Sequence, residues 1–323
     1  MPVWVNGLVV VVAIVIIAFS AHWLVESAVA LAERLGISEL VIGLTIVALG
    51  TSAPEFAVTL NAAFKGQGNI SVGNIVGSNI FNLGFILGGA ALFRAVPTNR
   101  LLLTRDGSVL IGTTLLLAAL IGIDLRLGRA DGVLLLGLLG AYLFVLFRMR
   151  RSGDDSDGTH EPVVVQEEPR RSPLGRSLVF LAVGFVGVGL GSHYMVDAAT
   201  AIARAYHVSE WVIGVTILAA GTSAPEFATT LAGVMKGRYD VGTGNLIGSD
   251  IFNLLGVLGL AGVLQPVAID PIARLSLAAL VGMVAMALIF MRTGWKISRL
   301  EGGLLVLVAF ARWILDFTTR ASG

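Results

Sequence analysis

The sequence predicts an all-α membrane protein with ten transmembrane helices, arranged as two inverted five-helix repeats in which helices 2, 3, 7 and 8 are broken. Three observations support this fold. Hydrophobic residues make up 56% of the 323-residue chain, charged residues only 13%, and the mean hydropathy is +0.88, as in proteins that cross a membrane several times. The apolar runs have the length of membrane spans, and one long segment occurs twice.

Short charged turns, or turns with glycine and proline, separate the apolar runs. The first half contains runs near residues 6–34, 38–64, 70–92, 101–123 and 131–149. The second half contains runs near residues 175–205, 209–235, 242–263, 272–292 and 300–318. A polar segment joins the halves, so we expect a first repeat at 1–149, a hydrophilic linker at 150–176 and a second repeat at 177–323.

The number of spans sets the orientation of the two halves. An odd number in each half makes the second half enter the membrane from the opposite side. The side that holds the linker receives 15 of the 22 basic residues, and the other side receives 7. Because cytoplasmic loops are rich in lysine and arginine, we expect a plasma (inner) membrane protein with a cytoplasmic linker and both termini outside. No basic residue precedes the first apolar run, which predicts a span rather than a cleaved signal peptide.

The repeated segment is Gly43–Gly88, and its second copy is Gly214–Gly259. The copies align without a gap at an offset of 171 residues, and 26 of their 46 positions are identical. Each contains the motif Gly-Thr-Ser-Ala-Pro-Glu, at 50–55 and at 221–226. A second motif follows, Gly-Ser-Asn-Ile-Phe-Asn at 77–82 and Gly-Ser-Asp-Ile-Phe-Asn at 248–253. The repeat therefore indicates that both copies contribute to one function.

The first motif combines a helix breaker with oxygen-bearing side chains. Pro54 has no backbone N–H and would clash with the carbonyl of Gly50, which costs about 3 kcal/mol in a helix interior. The backbone carbonyls near residues 48–51 that lose their helical hydrogen bonds must find other partners, because lipid offers none. Water or a bound cation could be that partner. Thr51, Ser52 and Glu55 add oxygen atoms within about one turn, and hard oxygen ligands suit Na⁺ and Ca²⁺.

Glu55 and Glu226 are the central candidates for ion binding. A charged residue at the centre of a membrane helix costs about 2.5–3.5 kcal/mol, and such acids usually mark ion or proton pathways. The alternative is a protonated carboxyl with a structural role. Inversion of the repeats would place the two glutamates near the membrane midplane, facing each other, where they would neutralise one divalent ion.

The second motif places further polar side chains on one helical face. Asn82 follows Ser78 by four residues, and Asn253 follows Ser249 in the same way. Both pairs lie in apolar segments close in sequence to the glutamates. We therefore expect them beside the acids.

The two motifs, each present twice, resemble the alpha-repeats of the cation/calcium exchanger superfamily, in particular those of prokaryotic sodium/calcium exchangers. The resemblance covers both 46-residue copies, and the ten-span layout fits the rest of the chain. It implies a core of spans 2, 3, 7 and 8, against which spans 1 and 6 slide. The implied ion ligands are Thr51, Ser52, Glu55, Ser78, Asn82, Thr222, Ser223, Glu226, Ser249 and Asn253, with the backbone carbonyls of Ala48 and Ala219.

Two positions depart from the pattern of some relatives. Potassium-dependent members resemble a pattern with aspartate in the second repeat, where this chain has Asn253, which argues against potassium co-transport. Asp250 lies beside Ser249 instead, about 100° around the helix. It is either a displaced ligand or, as we favour, a packing and gating acid.

Two histidines also repeat at the 171-residue offset. His22 precedes Glu26 by four residues, and His193 precedes Asp197 by four. Such pairs lie on one helical face. Their polar groups either satisfy each other, inside the bundle or at an aqueous vestibule, or form a titratable gate that makes transport sensitive to pH.

The function that these features predict is secondary antiport of Ca²⁺ against Na⁺, with Ca²⁺/H⁺ exchange through the same glutamates as the alternative. An enzyme is disfavoured, because the chain has no cysteine and no His-Glu-x-x-His motif. We expect no cofactor, no nucleic acid and no obligatory protein partner. The expected partners are Ca²⁺, Na⁺ or H⁺, and the lipid bilayer.

Overall fold

The computed structural model describes residues 2–149, 173–206, 219–271 and 273–320. The predicted linker therefore lies outside the described residues up to position 172, as does the start of the span predicted near 209–235. The chain forms two compact units. The first unit is Met1–Pro54 with Gln166–Asn245, and the second unit is Glu55–Val165 with Leu246–Gly323. Each unit thus contains segments from both halves of the sequence.

Helices make up most of the described chain, and strands are short. Before the linker the elements are α1 (Val3–Leu35), α2 (Glu39–Ile42), α3 (Ala48–Thr51), α4 (Ala53–Phe64), α5 (Gly68–Phe81), α6 (Gly88–Phe93), β1 (Val96–Pro97), α7 (Ser108–Asp124), β2 (Arg126–Leu127) and α8 (Arg129–Met149). After the linker they are α9 (Leu174–Ala205), α10 (Ala219–Thr222), α11 (Ala224–Met235), α12 (Tyr239–Ile251), α13 (Leu258–Leu264), β3 (Val267–Ala268), α14 (Ala273–Arg292), β4 (Lys296–Ile297) and α15 (Arg299–Arg320). Wider π-helical turns connect several of them, at Gly43–Val47, Asn82–Leu87, Leu102–Gly107 and Phe252–Val257.

Seven of the described helices are long and apolar enough to cross a membrane. They are Val3–Leu35, Gly68–Phe93, Leu102–Asp124, Arg129–Arg148, Leu174–Ile202, Tyr239–Leu264 and Ala273–Trp295. The helix pair Glu39–Thr51 and Ala53–Phe64, bent by 49°, counts as an eighth span if it is taken as one.

Two of the ten predicted spans are not among these eight. The span predicted near 209–235 begins outside the described residues. The span predicted near 300–318 corresponds to α15, which is about 33 Å long at 1.5 Å per residue. Because α15 carries three arginines, a glutamate and an aspartate, its composition is less apolar than that of the other spans.

In the first unit, α1 and α9 pack against each other along their length in antiparallel directions. Gly184 lies against Leu24, Gly187 against Ser20 and Gly191 against Ile17. A Cβ atom on Gly187 would lie 2.1 Å from the Ser20 hydroxyl oxygen, so only glycine allows this approach. The two long helices predicted as spans 1 and 6 therefore form one closely packed pair.

In the second unit, two short antiparallel ribbons tie the halves of the sequence together. Val96 and Pro97 of β1 pair with Ile297 and Lys296 of β4. Arg126 and Leu127 of β2 pair with Ala268 and Val267 of β3. The 171-residue offset relates β1 to β3, and an offset of 170 residues relates β2 to β4, so each ribbon pairs one strand of each kind.

Candidate functional site

The Gly-Thr-Ser-Ala-Pro-Glu motif breaks its helix at the serine. One helix ends at Thr51 and the next begins at Ala53, and Ser52 between them has φ −77° and ψ 5°. Ser223 has nearly the same conformation, with φ −87° and ψ 8°, between α10 and α11. The predicted break is present at both positions.

The break keeps Pro54 out of a helix interior. Pro54 is the second residue of the new helix α4, not an interruption within a continuing helix. In the first turn the missing N–H has no partner to lose, so the cost of a proline in a helix interior does not arise. The predicted ligand carbonyl of Ala48 also accepts hydrogen bonds within the protein, from the Ser52 N–H at 3.0 Å and from the Thr51 hydroxyl at 3.3 Å.

In the first unit, the two breaks supply a cluster of buried polar groups. The Ser52 hydroxyl donates to the Glu226 carboxylate at 3.0 Å, and both side chains have no exposed surface. The Thr51 hydroxyl lies 3.0 Å from the side-chain oxygen of Asn245. Ser223 is fully buried, Thr222 is partly buried, and Ala219 begins α10. The structure thus brings Ser52 and Glu226, 174 residues apart, into direct contact.

In the second unit, four side chains of the second motif form one hydrogen-bonded network. Asn82 donates from its amide nitrogen to the Asp250 carboxylate at 2.9 Å. Asn79 donates from its amide nitrogen to the backbone carbonyl of Asp250 at 3.1 Å. Asn253 donates in turn to the side-chain oxygen of Asn79 at 3.0 Å. The 171-residue offset exchanges the first and third of these bonds, because it relates Asn82 to Asn253 and Asn79 to Asp250.

Asp250 fixes the orientation of every amide in this network. An ionised carboxylate and a backbone carbonyl can only accept, so the NH₂ groups of Asn82 and Asn79 must face Asp250. The Asn79 side-chain oxygen then faces Asn253 and accepts a hydrogen bond from its NH₂ group. The amide oxygens of Asn82 and Asn253 are buried and accept no hydrogen bond from the described residues. Buried amide oxygens of this kind are suitable ligands for a hard cation.

The other ligand candidates of the second unit are buried as well. Glu55 is 1% exposed, Ser78 is 3% exposed and Ser249 is fully buried. Glu55 is the third residue of α4, so its carboxylate belongs to the first turn, where the helix dipole favours negative charge. A buried carboxylate with buried hydroxyl and amide oxygens is the donor chemistry that the sequence predicts.

Two further polar pairs were missed at the sequence level. Asn74 donates to the Thr59 hydroxyl at 3.0 Å in the second unit, and Asn245 donates to the Thr230 hydroxyl at 3.4 Å in the first. Each threonine lies four residues after a candidate glutamate. The signal was available, because these asparagines and threonines are identical in both copies of the repeat.

The histidine pairs lie at exposed positions of the first unit. His22 contacts Glu26 at 3.2 Å, with half or more of each side chain exposed. His193 contacts Asp197 at 3.5 Å, with 65% of each side chain exposed. Lys236, which the sequence did not single out, contacts Glu26 at 3.1 Å and donates to the His22 carbonyl at 2.9 Å. Burial lowers the pKa of Lys236, and the hydrogen bond to Glu26 opposes that shift.

A second buried polar cluster lies outside the two motifs. Arg105 contacts the fully buried Asp106 at 2.9 Å, and the Tyr142 hydroxyl donates to the same carboxylate at 3.0 Å. The Tyr142–Asp106 contact joins residues 36 positions apart, and in the second half Arg312 donates to the Ser276 hydroxyl at 2.8 Å across the same separation. Each half therefore has a polar contact between its last two helices.

Most of the chain matches one protein family. The sequence profile of the sodium/calcium exchanger protein family matches residues 5–148 and 176–314. The chain belongs to the sodium/calcium exchanger family. Together with its seven or eight apolar spans, this membership identifies it as a multi-pass membrane protein and a transporter rather than an enzyme.

Individual proteins are similar to this chain over nearly its full length. The sodium/calcium exchanger MaX1 of Methanosarcina acetivorans is 30% identical over 97% of this chain and 99% of its own length. The inner membrane protein YrbG of Escherichia coli K12 is 34% identical over 94% of this chain and 96% of its own. The solved structure of the sodium-calcium exchanger NCX_Mj, soaked with 2.5 mM Na⁺ and 0.1 mM Ca²⁺, has a TM-score of 0.80 and 29% identity, covering 95% of this chain and 97% of that one.

Proposed function

We propose that this protein exchanges Ca²⁺ for Na⁺ across the membrane by alternating access, with the cation site near the midplane. Family membership supports cation antiport, and the names of MaX1 and NCX_Mj support these two ions. The observation that carries the proposal is the pair of buried amide oxygens, Asn82 and Asn253, which Asp250 and Asn79 leave without hydrogen-bond donors. A desolvated cation is the partner that such oxygens lack.

The carboxylates of Glu55 and Glu226 complete the proposed ligand set. Two carboxylates and one Ca²⁺ give a neutral site, which removes the cost of a net charge inside the membrane. Three Na⁺ in the same place would leave one positive charge, so exchange at that ratio, the usual one of the family, would be electrogenic. The remaining ligands are the hydroxyl and amide oxygens of both motifs, namely Thr51, Ser52, Thr222, Ser223, Ser78, Ser249, Asn82 and Asn253, with the carbonyls of Ala48 and Ala219.

The architecture that we propose around this site is ten spans in two inverted repeats, 1–149 and 177–323, joined by a cytoplasmic linker. The correspondence of β1 with β3 and of β2 with β4, at offsets of 171 and 170 residues, supports such two-fold symmetry. The exchange of the Asn82–Asp250 and Asn253–Asn79 bonds supports it as well. The excess of basic residues on the linker side supports termini outside the cell.

Exchange of Ca²⁺ for H⁺ through the same two glutamates is the second candidate. It would require each carboxylate to carry a proton on the return step. The many hydroxyl and amide oxygens suit a desolvated monovalent metal ion. These features favour Na⁺.

A flux assay in proteoliposomes tests the proposal. Vesicles loaded with Na⁺ should take up ⁴⁵Ca²⁺ in Na⁺-free buffer, and Glu55→Gln and Glu226→Gln should each abolish the uptake. Glu33→Gln is the matched control, because Glu33 lies exposed near the end of α1. Uptake driven by a pH gradient without Na⁺ would establish H⁺ exchange, and unchanged uptake in both glutamate variants would refute the site.

A further inference from the structure

A groove of about 440 Å³ lies on the surface of the second unit, between the helix Leu102–Asp124 and α14. Its lining on the first helix is Leu103, Thr104, Ser108 and Ile111, and on α14 and the turn after it Leu288, Ile289, Arg292 and Thr293. Both helices are membrane spans, and only 39% and 33% of their apolar windows are buried. In a bilayer the groove therefore faces lipid.

The lining of the groove changes from apolar to polar along its length. Ile111 and Leu288 form the apolar part, whereas Arg292 and Thr293 lie where α14 ends. Thr104 and Ile111 are seven residues apart, so the groove is about 10 Å long at 1.5 Å per residue. A phospholipid has the same arrangement, because its apolar acyl chain adjoins a charged headgroup.

Arg292 makes no ion pair with another described residue. Its guanidinium lies 4.7 Å from the centre of the Trp295 ring, the arrangement of a cation anchored by an aromatic side chain at a membrane interface. The one acid close in sequence, Glu301, accepts from the hydroxyl groups of Thr293 and Ser298. The guanidinium therefore keeps its charge and its donors for a ligand.

The surroundings of Arg292 are strongly basic. The ribbon of β1 and β4 brings the segments 94–100 and 292–299 together. These two segments contain five cations and no acid, namely Arg94, Arg100, Arg292, Lys296 and Arg299. The resulting positive potential attracts an anionic headgroup rather than a zwitterionic one.

The equivalent positions of the other repeat lack this polar end. Ser108, Arg292 and Thr293 correspond, at the 170-residue offset that relates β2 to β4, to Ala278, Gly122 and Ile123. The cation nearest to that place, Arg274, donates to the backbone carbonyl of Gly122 at 3.0 Å. The polar lining is therefore specific to the groove at Arg292 and is not a by-product of the repeat.

We propose that this groove binds one anionic phospholipid, with its phosphate on Arg292 and an acyl chain along Ser108, Ile111, Leu288 and Ile289. The lipid bridges the helix Leu102–Asp124 and α14 on their outer surface. This proposal depends on the membrane location of the protein and not on which ions it carries.

Native mass spectrometry of the purified full chain tests the proposal with phosphatidylglycerol and phosphatidylcholine of identical acyl chains. The wild-type protein should retain one phosphatidylglycerol in preference to phosphatidylcholine. Arg292→Ala should weaken phosphatidylglycerol binding about fivefold, because one arginine near the membrane surface contributes about that factor. Arg126→Ala is the matched control, since Arg126 is an exposed cation beyond the other end of α7 and should leave binding unchanged.

A second variant fills the groove without removing a charge. Ser108→Phe should reduce retention of both lipids, because the ring occupies the space of the acyl chain. Equal binding of the two lipids to the wild-type protein, equal losses in Arg292→Ala and Arg126→Ala, or full retention in Ser108→Phe would each overturn the proposal. Displacement of the lipid by inorganic phosphate alone would also overturn it, because the groove would then recognise phosphate rather than a phospholipid.

Discussion

Replacement of Asp250 tests whether this residue positions the ion ligands or is itself an ion ligand. The Asp250 carboxylate accepts the hydrogen bond that turns the Asn82 amide oxygen away from it. Asparagine at this position keeps an acceptor and loses the charge, whereas alanine removes the acceptor. Neither change removes the backbone carbonyl that orients Asn79, so the branch leading to Asn253 stays intact in both variants.

The expected magnitudes follow from the hydrogen bond that is lost. A hydrogen bond to a charged group contributes about 1.5–3 kcal/mol and a neutral one about 0.5–1.5, so Asp250→Asn should weaken Ca²⁺ binding by about 1 kcal/mol, or about fivefold. Asp250→Ala leaves the buried NH₂ group of Asn82 without its acceptor and lets the amide rotate. That change costs about 1–3 kcal/mol, and we expect about a thirtyfold loss.

Isothermal titration of Ca²⁺ into the purified protein measures both effects. Asp124→Asn is the control, because Asp124 is exposed at the end of α7. If Asp250 itself bound the ion, the charge would matter more than the acceptor, and the two substitutions would weaken binding equally and by more than a hundredfold. Equal losses of that size would refute the positioning role.

Three further predictions concern packing and the remaining polar contacts. Gly187→Ala should lower the melting temperature, because its Cβ would lie 2.1 Å from the Ser20 oxygen, whereas Gly189→Ala, with open space at its Cβ, should not; equal melting temperatures would contradict the close packing of α1 and α9. Lys236→Met and Glu26→Gln should show a coupling of about 0.5–1 kcal/mol in a double-mutant cycle of thermal stability, because the Glu26 side chain is 60% exposed; a coupling above about 2 kcal/mol would show that the ion pair is shielded from water. Thr59→Val should weaken Ca²⁺ binding several-fold through loss of the Asn74 contact, while Thr104→Val, outside the network, should leave the titration unchanged; equal affinities for both variants would exclude Thr59 from the support of the site.

The 171-residue repeat predicts much of this molecule, because it marks positions that must match in both halves. It locates the helix breaks at Ser52 and Ser223 and selects the buried acids and asparagines of both motifs. It does not show that the break lies two residues before Pro54, which becomes the second residue of a new helix.

The remaining contacts depend on geometry that no local pattern contains. The direction of each amide in the Asn79–Asn82–Asn253 network follows from Asp250 as an acceptor. That argument requires the contacts between these side chains, which the sequence does not contain. The contact of Lys236 with Glu26 joins residues 210 positions apart, and the pair has no sequence spacing that would indicate it.

The number of Ca²⁺ ions bound per chain tests the central claim most directly. If Glu55 and Glu226 hold the same ion, equilibrium binding of ⁴⁵Ca²⁺ should give one high-affinity ion per wild-type chain, and either Glu55→Gln or Glu226→Gln alone should remove it. Two ions per wild-type chain, with one retained in each single variant, would contradict a shared site.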